Sequence, residues 1–168
     1  MVYRAFVGAA VPYLNSTAIP FEKQYFSGGA NSIRAWRVKN LGPGSSAKIV
    51  DDFPNQTSDL KIEANIEYRF KLFWKLEGAL FIDAGNIWSL SSDDEREGAQ
   101  FNIKSFYKEF AVGTGFGTRF DFNFFIFRFD LGIPLIDPSY PEGDRWVIVK
   151  NRIGFRDLGY NIAIGYPF

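Results

Sequence analysis

The chain has 168 residues, of which 46% are hydrophobic and 18% aromatic, and its 19 acidic residues balance its 19 basic ones. This length fits one domain, residues 1–168, and zero net charge offers no electrostatic footprint for nucleic acid, which we do not expect as a partner. Because the sequence has no His and no Cys, it offers no Ser-His-Asp triad, no His-based metal site and no disulfide. We therefore expect no enzyme activity, no metal and no cofactor.

The first predicted element is a β-strand over residues 3–11, where side chains alternate with period two. A connection of some forty residues follows, from about 14 to 58. It contains the pair Gly28 and Gly29, which marks a tight turn, and then Arg34 and Trp36.

The second predicted strand, residues 60–70, separates apolar from charged side chains completely. Its even positions are apolar from Leu60 to Phe70, whereas its odd positions are polar or charged and include Glu63 and Glu67. Side chains in a strand point to opposite faces in turn. The strand therefore has one apolar and one charged face.

The third predicted strand begins at Trp74 and ends at Trp88, which share the apolar face. A tilted strand of this length spans about 35 Å, enough to place a Trp at each border of an apolar band about 25 Å tall. We interpret Trp74 and Trp88 as membrane girdle residues. Phe81 and Asp83 lie on the opposite, odd face.

Two further strands are predicted over residues 106–120 and 125–133, separated by a tight turn. The first carries Gly113, Gly115 and Gly117 on its odd face. Glycine within a strand indicates either a bend or a close approach of other backbone. Both explanations remain open, and a loop folded against this face would account for the second.

The last predicted strand, residues 159–168, ends the chain on an aromatic residue. Its apolar face carries Tyr160, Ile162, Ile164, Tyr166 and Phe168. This pattern is typical of a strand that closes an outer-membrane β-barrel.

The six strands predict an all-β antiparallel meander that forms part of a transmembrane barrel. Short and long connections alternate, which is the habit of barrels with periplasmic turns and outer loops, so we expect the C-terminus on the periplasmic side. Single-chain barrels have about eight strands or more, and the start Met1-Val2-Tyr3-Arg4 lacks the layout of a signal peptide. We expect a C-terminal fragment with an artificial start. A soluble β-sandwich is the alternative, because antiparallel sheets often have one wet face.

Several motifs occur in the order known from one family. Residues 28–36 read Gly-Gly-Ala-Asn-Ser-Ile-Arg-Ala-Trp, Leu41-Gly42-Pro43 follows, and residues 80–88 read Leu-Phe-Ile-Asp-Ala-Gly-Asn-Ile-Trp. Together with the terminal aromatic strand, they resemble the outer-membrane assembly and translocation superfamily of the BamA/TamA type, also called bacterial surface antigens. One departure is Ala35, where the family usually has Gly, so a conformation with positive φ would be strained there.

The resemblance implies a sixteen-stranded barrel in the outer membrane of a Gram-negative bacterium, of which these are the last six strands. Ten preceding strands and periplasmic repeats would belong to the same parent protein. In the family, the loop Arg reaches into the lumen and pairs with acidic residues. Transferred to this sequence, Arg34 pairs with Glu67 and Asp83 beside Phe81.

The implied function is insertion or translocation of outer-membrane polypeptides, with residues 159–168 as the edge of a lateral gate. The expected partners are outer-membrane lipid and client polypeptides, and an isolated fragment could self-associate through its apolar face. Two alternatives stay open from the residues: a passive outer-membrane porin, and a soluble sandwich that binds sugar. Two acidic groups, Asp51-Asp52 and Asp93-Asp94-Glu95, are interpreted as solvated loop charges rather than calcium ligands.

Overall fold

The computed structural model describes residues 1–14, 19–47, 56–150 and 154–168. The described strands form a single six-stranded antiparallel sheet in the order β1-β2-β3-β4-β5-β6. The strands are β1 (Val2–Ala9), β2 (Leu60–Phe73), β3 (Leu76–Trp88), β4 (Ala111–Asp121), β5 (Ile126–Ile136) and β6 (Gly159–Ile164). Short 3-10 helices cover Phe21–Lys23, Phe106–Glu109, Glu142–Asp144 and Phe155–Asp157. The predicted all-β meander of six strands is confirmed.

The register of the sheet keeps the two faces continuous from strand to strand. Tyr3 of β1 lies opposite Ile66 of β2, which lies opposite Ile82 of β3. On the other face, Asn65 lies opposite Asp83. A shift of one residue would exchange the two faces, so the period-two pattern of each strand fixes the register.

The polar face of the sheet is the buried one, which inverts the arrangement of a soluble protein. Glu63, Glu67 and Asp83 are at most 1% exposed, whereas Leu80 is 54% and Ile162 68% exposed. The buried side is covered by the described parts of the connection between β1 and β2, residues 10–59, which we call the first loop. Since the described strands form one sheet whose apolar face is open, the alternative of a two-sheet sandwich is wrong.

The connections alternate in length, as expected. Residues 74–75 join β2 to β3 and residues 122–125 join β4 to β5, whereas the other three connections each exceed 20 residues. The tight turns use positive φ at Trp74 (49°) and Asn123 (72°). Among the described residues, we find no helix with the length and apolar character needed to cross a membrane.

The predicted strand over residues 106–120 begins too early. Residues 106–109 form a 3-10 helix, and β4 starts only at Ala111. Phe106 and Phe110 pack edge-on against Trp88, with ring centroids 6.3 and 5.7 Å away. These aromatic residues therefore cover the end of β3 rather than extend the apolar face of β4.

The exposed apolar face generates a first prediction. Leu80 lies in the middle of β3 on that face, and an Arg at the midplane of a bilayer costs about 2–4 kcal/mol in a barrel strand. We expect Leu80→Arg to lower the free energy of unfolding by that amount, measured by urea titration of the protein folded in lipid vesicles. Leu80→Phe, which keeps the surface apolar, is the control. An equal stability of the two variants would mean that this face meets water.

Candidate functional site

The centre of the buried face is the guanidinium of Arg34, at the tip of the first loop. Its side chain is 0% exposed. Nε and Nη2 donate to the two oxygens of Asp83 on β3, both at 2.9 Å, and Nη1 donates to Oε2 of Glu67 on β2 at 2.5 Å. The backbone N–H of Arg34 also donates to Asp83, at 3.0 Å. The structure thus brings Arg34, Glu67 and Asp83 into direct contact.

The ring of Phe81 completes the environment of this guanidinium. Cζ of Arg34 lies 3.5 Å from the ring centroid, close enough for a cation–π interaction, which gains strength when the cation is desolvated. Phe81 and Asp83 are two residues apart on β3 and therefore point to the same face. The planar fork of Arg suits this combination of a bidentate carboxylate and a stacked ring, which a Lys ammonium cannot match.

Further charges surround this pair, and we call the whole set the Arg34 cluster. It contains four guanidinium groups and three carboxylates: Arg34, Arg69, Arg119, Arg128, Glu67, Asp83 and Asp130. Glu67 also accepts from Arg69 Nε at 2.6 Å and from Arg119 Nη2 at 2.9 Å. Arg119 Nη1 donates to Asp130 at 2.5 Å. The cluster therefore links β2, β3, β4 and β5 through one charge network.

The Arg34 cluster has one more positive than negative charge, and its polar atoms are not all paired. Nε and Nη1 of Arg128 have no hydrogen-bond partner within the described residues, and neither has Oδ2 of Asp130. Arg128 Nε lies 3.6 Å from that oxygen. Unpaired buried polar atoms are costly. The buried charges of Arg128 and Asp130 are therefore less well compensated by hydrogen bonds than those of Arg34 and Asp83.

A second set of polar side chains, on β2, binds the first residues of the loop tip. Glu63 accepts a hydrogen bond from Ser27 Oγ at 2.8 Å and a short one from Ser32 Oγ. Lys61 Nζ lies 2.9 Å from Glu63 and donates to the carbonyl of Phe26. This group holds residues 26–32 over the same face that receives Arg34.

The two predicted turn glycines shape the loop tip. Gly28 and Gly29 have φ of 92° and 91°, a region that favours glycine. The N–H of Gly29 donates to the carbonyl of Trp36 at 2.8 Å and closes the segment between them. Trp36 is 4% exposed and packs with Ile33, Ala35, Leu41 and Ala111.

Ala35 is not strained, contrary to the concern raised by its departure from the family pattern. The positive-φ residues other than glycine in the described chain are Leu14, Lys39, Trp74 and Asn123. The Cβ of Ala35 is accommodated by Gly113 on β4, where an added Cβ would lie 2.5 Å from it. The methyl group thus faces a position without a side chain.

The glycines of β4 serve different neighbours. Gly113 gives room to Ala35, Gly115 to the ring of Phe81 (2.5 Å from an added Cβ), and Gly117 to the contact between Asp130 and Arg119. The close-approach explanation therefore holds for a folded-in loop at Gly113. At Gly115, the backbone carbonyl of Leu131 on β5 also comes close and would overlap an added Cβ. At Gly117, the nearest atoms belong to the side chains of Asp130 and Arg119.

The closing strand is shorter than predicted. Tyr160, Ile162 and Ile164 lie on the exposed face of β6, but the strand ends at Ile164 and Gly165 has φ of 89°. The chain then turns toward the polar face. The ring centroid of Tyr166 lies 4.0 Å from Cζ of Arg69, and that of Phe168 lies 5.9 Å from Cζ of Arg34.

The two predicted girdle residues differ in their surroundings. Trp74 is 92% exposed, but it lies in the β2–β3 turn rather than on a strand. Trp88 is 0% exposed beneath the aromatic residues of the β3–β4 connection, and its Nε1 donates to Glu109 at 2.6 Å. Trp88 therefore offers no surface to a membrane in this structure, and the girdle interpretation does not fit it.

One of the two acidic loop groups, Asp93-Asp94-Glu95, lies within the described residues. Asp94 pairs with Arg96 at 2.6 Å, and this hydrogen bond holds the pKa of the Asp94 carboxyl below its usual range. Asp51 and Asp52 lie outside the described residues. Across residues 1–14, 19–47, 56–150 and 154–168, we find no group of three acidic side chains placed to hold a metal ion.

Sequence reasoning missed several residues of the site. Arg119, Arg128 and Asp130 carry charges on the buried face of β4 and β5, and Asn161 of β6 donates to the carbonyl of Arg34 at 2.9 Å. The available signal was parity: each of these side chains shares a face with the small or charged residues of its strand. Applying the rule used for Glu67 to every strand would have found them.

Comparison with known families gives a match that covers nearly the whole chain. A family model described as the Omp85 superfamily domain matches residues 1–160. The match spans the first loop, β1 to β5 and the beginning of β6. It confirms the resemblance drawn from the motifs of the loop and of β3.

The geometry of Arg34 generates a second prediction. Arg34→Lys keeps the charge but cannot donate simultaneously to Asp83 and Glu67 in the same fork geometry, and weakening a buried pair leaves desolvated carboxylates behind. We expect a loss of about 3 kcal/mol or more in unfolding free energy, measured by urea titration. Arg96→Lys, at the partly exposed pair with Asp94, is the control and should cost less than about 1 kcal/mol. Equal losses would contradict a special role of burial at Arg34.

The close approach of loop and sheet generates a third prediction. An added Cβ at Gly159 would overlap the carbonyl oxygen of Arg34, whereas one at Gly143 meets nothing within 4 Å. We expect Gly159→Ala to destabilise the protein by about 1–3 kcal/mol through overpacking and to speed proteolytic cleavage of the first loop. Gly143→Ala should change neither quantity. Unchanged cleavage in Gly159→Ala would show that the loop does not rest on β6.

Proposed function

Because the chain belongs to the Omp85 superfamily, whose members are assembly and transport factors of the bacterial outer membrane rather than enzymes, we propose that it forms the closing part of a barrel that inserts or translocates outer-membrane polypeptides. In this proposal, the polar face lines the lumen and the first loop is a lumenal plug held by Arg34. The apolar face contacts outer-membrane lipid. Preceding strands of the same parent protein complete the barrel, which has sixteen strands in the family, and periplasmic repeats come before those strands in the chain.

The observation that carries this proposal is the complete burial of Arg34 between two carboxylates. A passive pore needs an open lumen and has no use for a loop whose charged tip is desolvated against the wall. Removing one partner of a buried pair costs about 3–5 kcal/mol, so this contact can hold the loop in one defined position. A loop fixed in one position suits a barrel that must keep its shape while its first and last strands separate.

The proposed gate is the free edge of β6. Within the described residues, β6 pairs with β5 alone, so its other side presents unpaired backbone N–H and C=O groups. Such an edge can add a strand by main-chain hydrogen bonding. In the complete barrel, this edge would meet the first strand weakly and admit a client strand when the two separate.

The proposed orientation follows from the unequal connections. The short turns at residues 74–75 and 122–125 and the C-terminus lie at one end of the sheet, and the long connections lie at the other. Barrels of this kind usually have short turns on the periplasmic side. We therefore place the C-terminus at the periplasm.

A fourth prediction tests the function in the complete protein that contains this chain. Arg34→Ala removes about 3–5 kcal/mol that hold the loop, and about 1.4 kcal/mol already changes an equilibrium tenfold, so the population with a seated loop falls. We expect the folding of client outer-membrane proteins in reconstituted vesicles to slow with it, by about tenfold or more. Arg37→Ala is the matched control, because Arg37 lies in the same loop and is exposed. It should leave client folding unchanged.

The same vesicles separate assembly from passive permeation. If Arg34→Ala leaves client folding intact but raises ion conductance, a porin explains the protein better and the proposed assembly function fails.

A further inference from the structure

A side chain of the closing strand hydrogen-bonds a backbone carbonyl of the first loop. Nδ2 of Asn161, on β6, donates to the carbonyl oxygen of Arg34 at 2.9 Å. The two residues are 127 positions apart in the chain. The guanidinium of the same Arg34 is bound to β2 and β3. One residue of the loop is therefore held at its side chain by one part of the sheet and at its backbone by another.

The backbone of the loop lies flat on the last two strands because two glycines leave it room. An added Cβ at Gly132 of β5 would lie 2.5 Å from the Arg34 carbonyl oxygen and 2.7 Å from Cα of Ala35. At Gly159 of β6, an added Cβ would overlap the same carbonyl oxygen. Asn161 follows two residues later on the same face. The loop backbone thus packs closely against Gly132 and Gly159, and the amide of Asn161 adds a hydrogen bond to this contact.

β6 has little else to hold it in place. Its register with β5 contains six residue pairs, from Phe127 opposite Ile164 to Gly132 opposite Gly159. The hairpin of β2 and β3 has thirteen. Because the outer edge of β6 is unpaired within the described chain, the contact with Arg34 holds this strand from a direction that β5 does not supply.

We propose that Asn161 is a positioning residue through which the seating of Arg34 restrains the closing strand. While Arg34 is bound to Asp83 and Glu67, its carbonyl holds β6 against the lumen side. When the guanidinium leaves the carboxylates, the carbonyl moves away from Asn161 and β6 is restrained by β5 alone. The inference rests on the proposed function, since it assigns to the loop the control of the gate strand.

The two contacts of Arg34, one through its guanidinium and one through its carbonyl, are thermodynamically linked. A contact that exists only in the seated state favours that state, and loss of seating must weaken the contact by the same factor. A net hydrogen bond shifts such an equilibrium by about fivefold. The effect reaches β6 directly through Arg34, without passing through β4 and β5.

Amide hydrogen exchange of β6 in the complete protein, folded in detergent micelles, tests the proposal. We expect Asn161→Ala to speed exchange at residues 159–164 about fivefold and to leave β2 and β3 unchanged. Asn161→Asp, which keeps the shape but loses the donor, should act in the same way and replaces the Ala variant if that variant does not fold. Arg4→Ala is the matched control, because Arg4 on β1 donates to the carbonyl of Asn31 in the same loop at 2.8 Å.

The decisive readout is a double-mutant cycle with Arg34→Ala. In the native background, Arg34→Ala should speed exchange in β6, whereas in Asn161→Ala it should add no further effect there. A merely structural role of Asn161 would give effects that multiply, and that result would overturn the proposal. An Arg4→Ala variant that loosens β6 as much as Asn161→Ala would overturn it too, because the effect would then come from general loosening of the loop.

The two proposals fail in different measurements. Loss of client folding in Arg34→Ala with independent exchange effects in the cycle would remove the link through Asn161 and leave the assembly function standing. A coupled cycle with normal client folding would support the link through Asn161 and remove the assembly function.

Discussion

The structure depends on the requirement that a fully desolvated guanidinium be compensated. Arg34 has no contact with solvent, so its charge must be balanced by carboxylates that are themselves buried. Asp83 and Glu67 provide this balance, and each must lie on the same face of the sheet as the loop tip. That single condition fixes which face of β2 and β3 is turned inward, and the register carries the choice to the remaining strands.

The first loop is consequently tied to every strand of the sheet rather than to one site. The kind of contact differs between strands. β2 and β3 contribute ion pairs, β4 contributes a glycine against which the loop packs, and β6 contributes a side-chain amide that donates a hydrogen bond. The contacts to the other four strands include Arg4 to the carbonyl of Asn31, Gly113 beneath Ala35, Arg128 to Asn31 Oδ1, and Asn161 to the carbonyl of Arg34. The loop is therefore the core of this protein, in the place that apolar side chains occupy in a soluble domain.

The sequence predicted what depends on period two and missed what depends on how connections fold back. Alternation identified six strands and the correct face for Glu67, Phe81 and Asp83, because side-chain direction in a strand follows from position alone. Alternation continued through Phe106 to Phe110, where the chain instead covers Trp88, since an aromatic residue on an even position fits either a strand or a cluster. The turn at Gly165 was missed for a related reason: an isolated glycine in an alternating run does not reveal its φ.

The wide spacing of the loop contacts along the chain determines when the loop can be seated. Asn31 meets Arg128 across 97 positions and Arg34 meets Asn161 across 127, so these are contacts of high sequence separation, which form slowly because a long stretch of chain must be closed first. The loop is synthesised before almost all of its binding partners. The contacts made by Arg128 and Asn161 can therefore form only after β5 and β6 have joined the sheet, so full seating of the loop depends on all six described strands being in place.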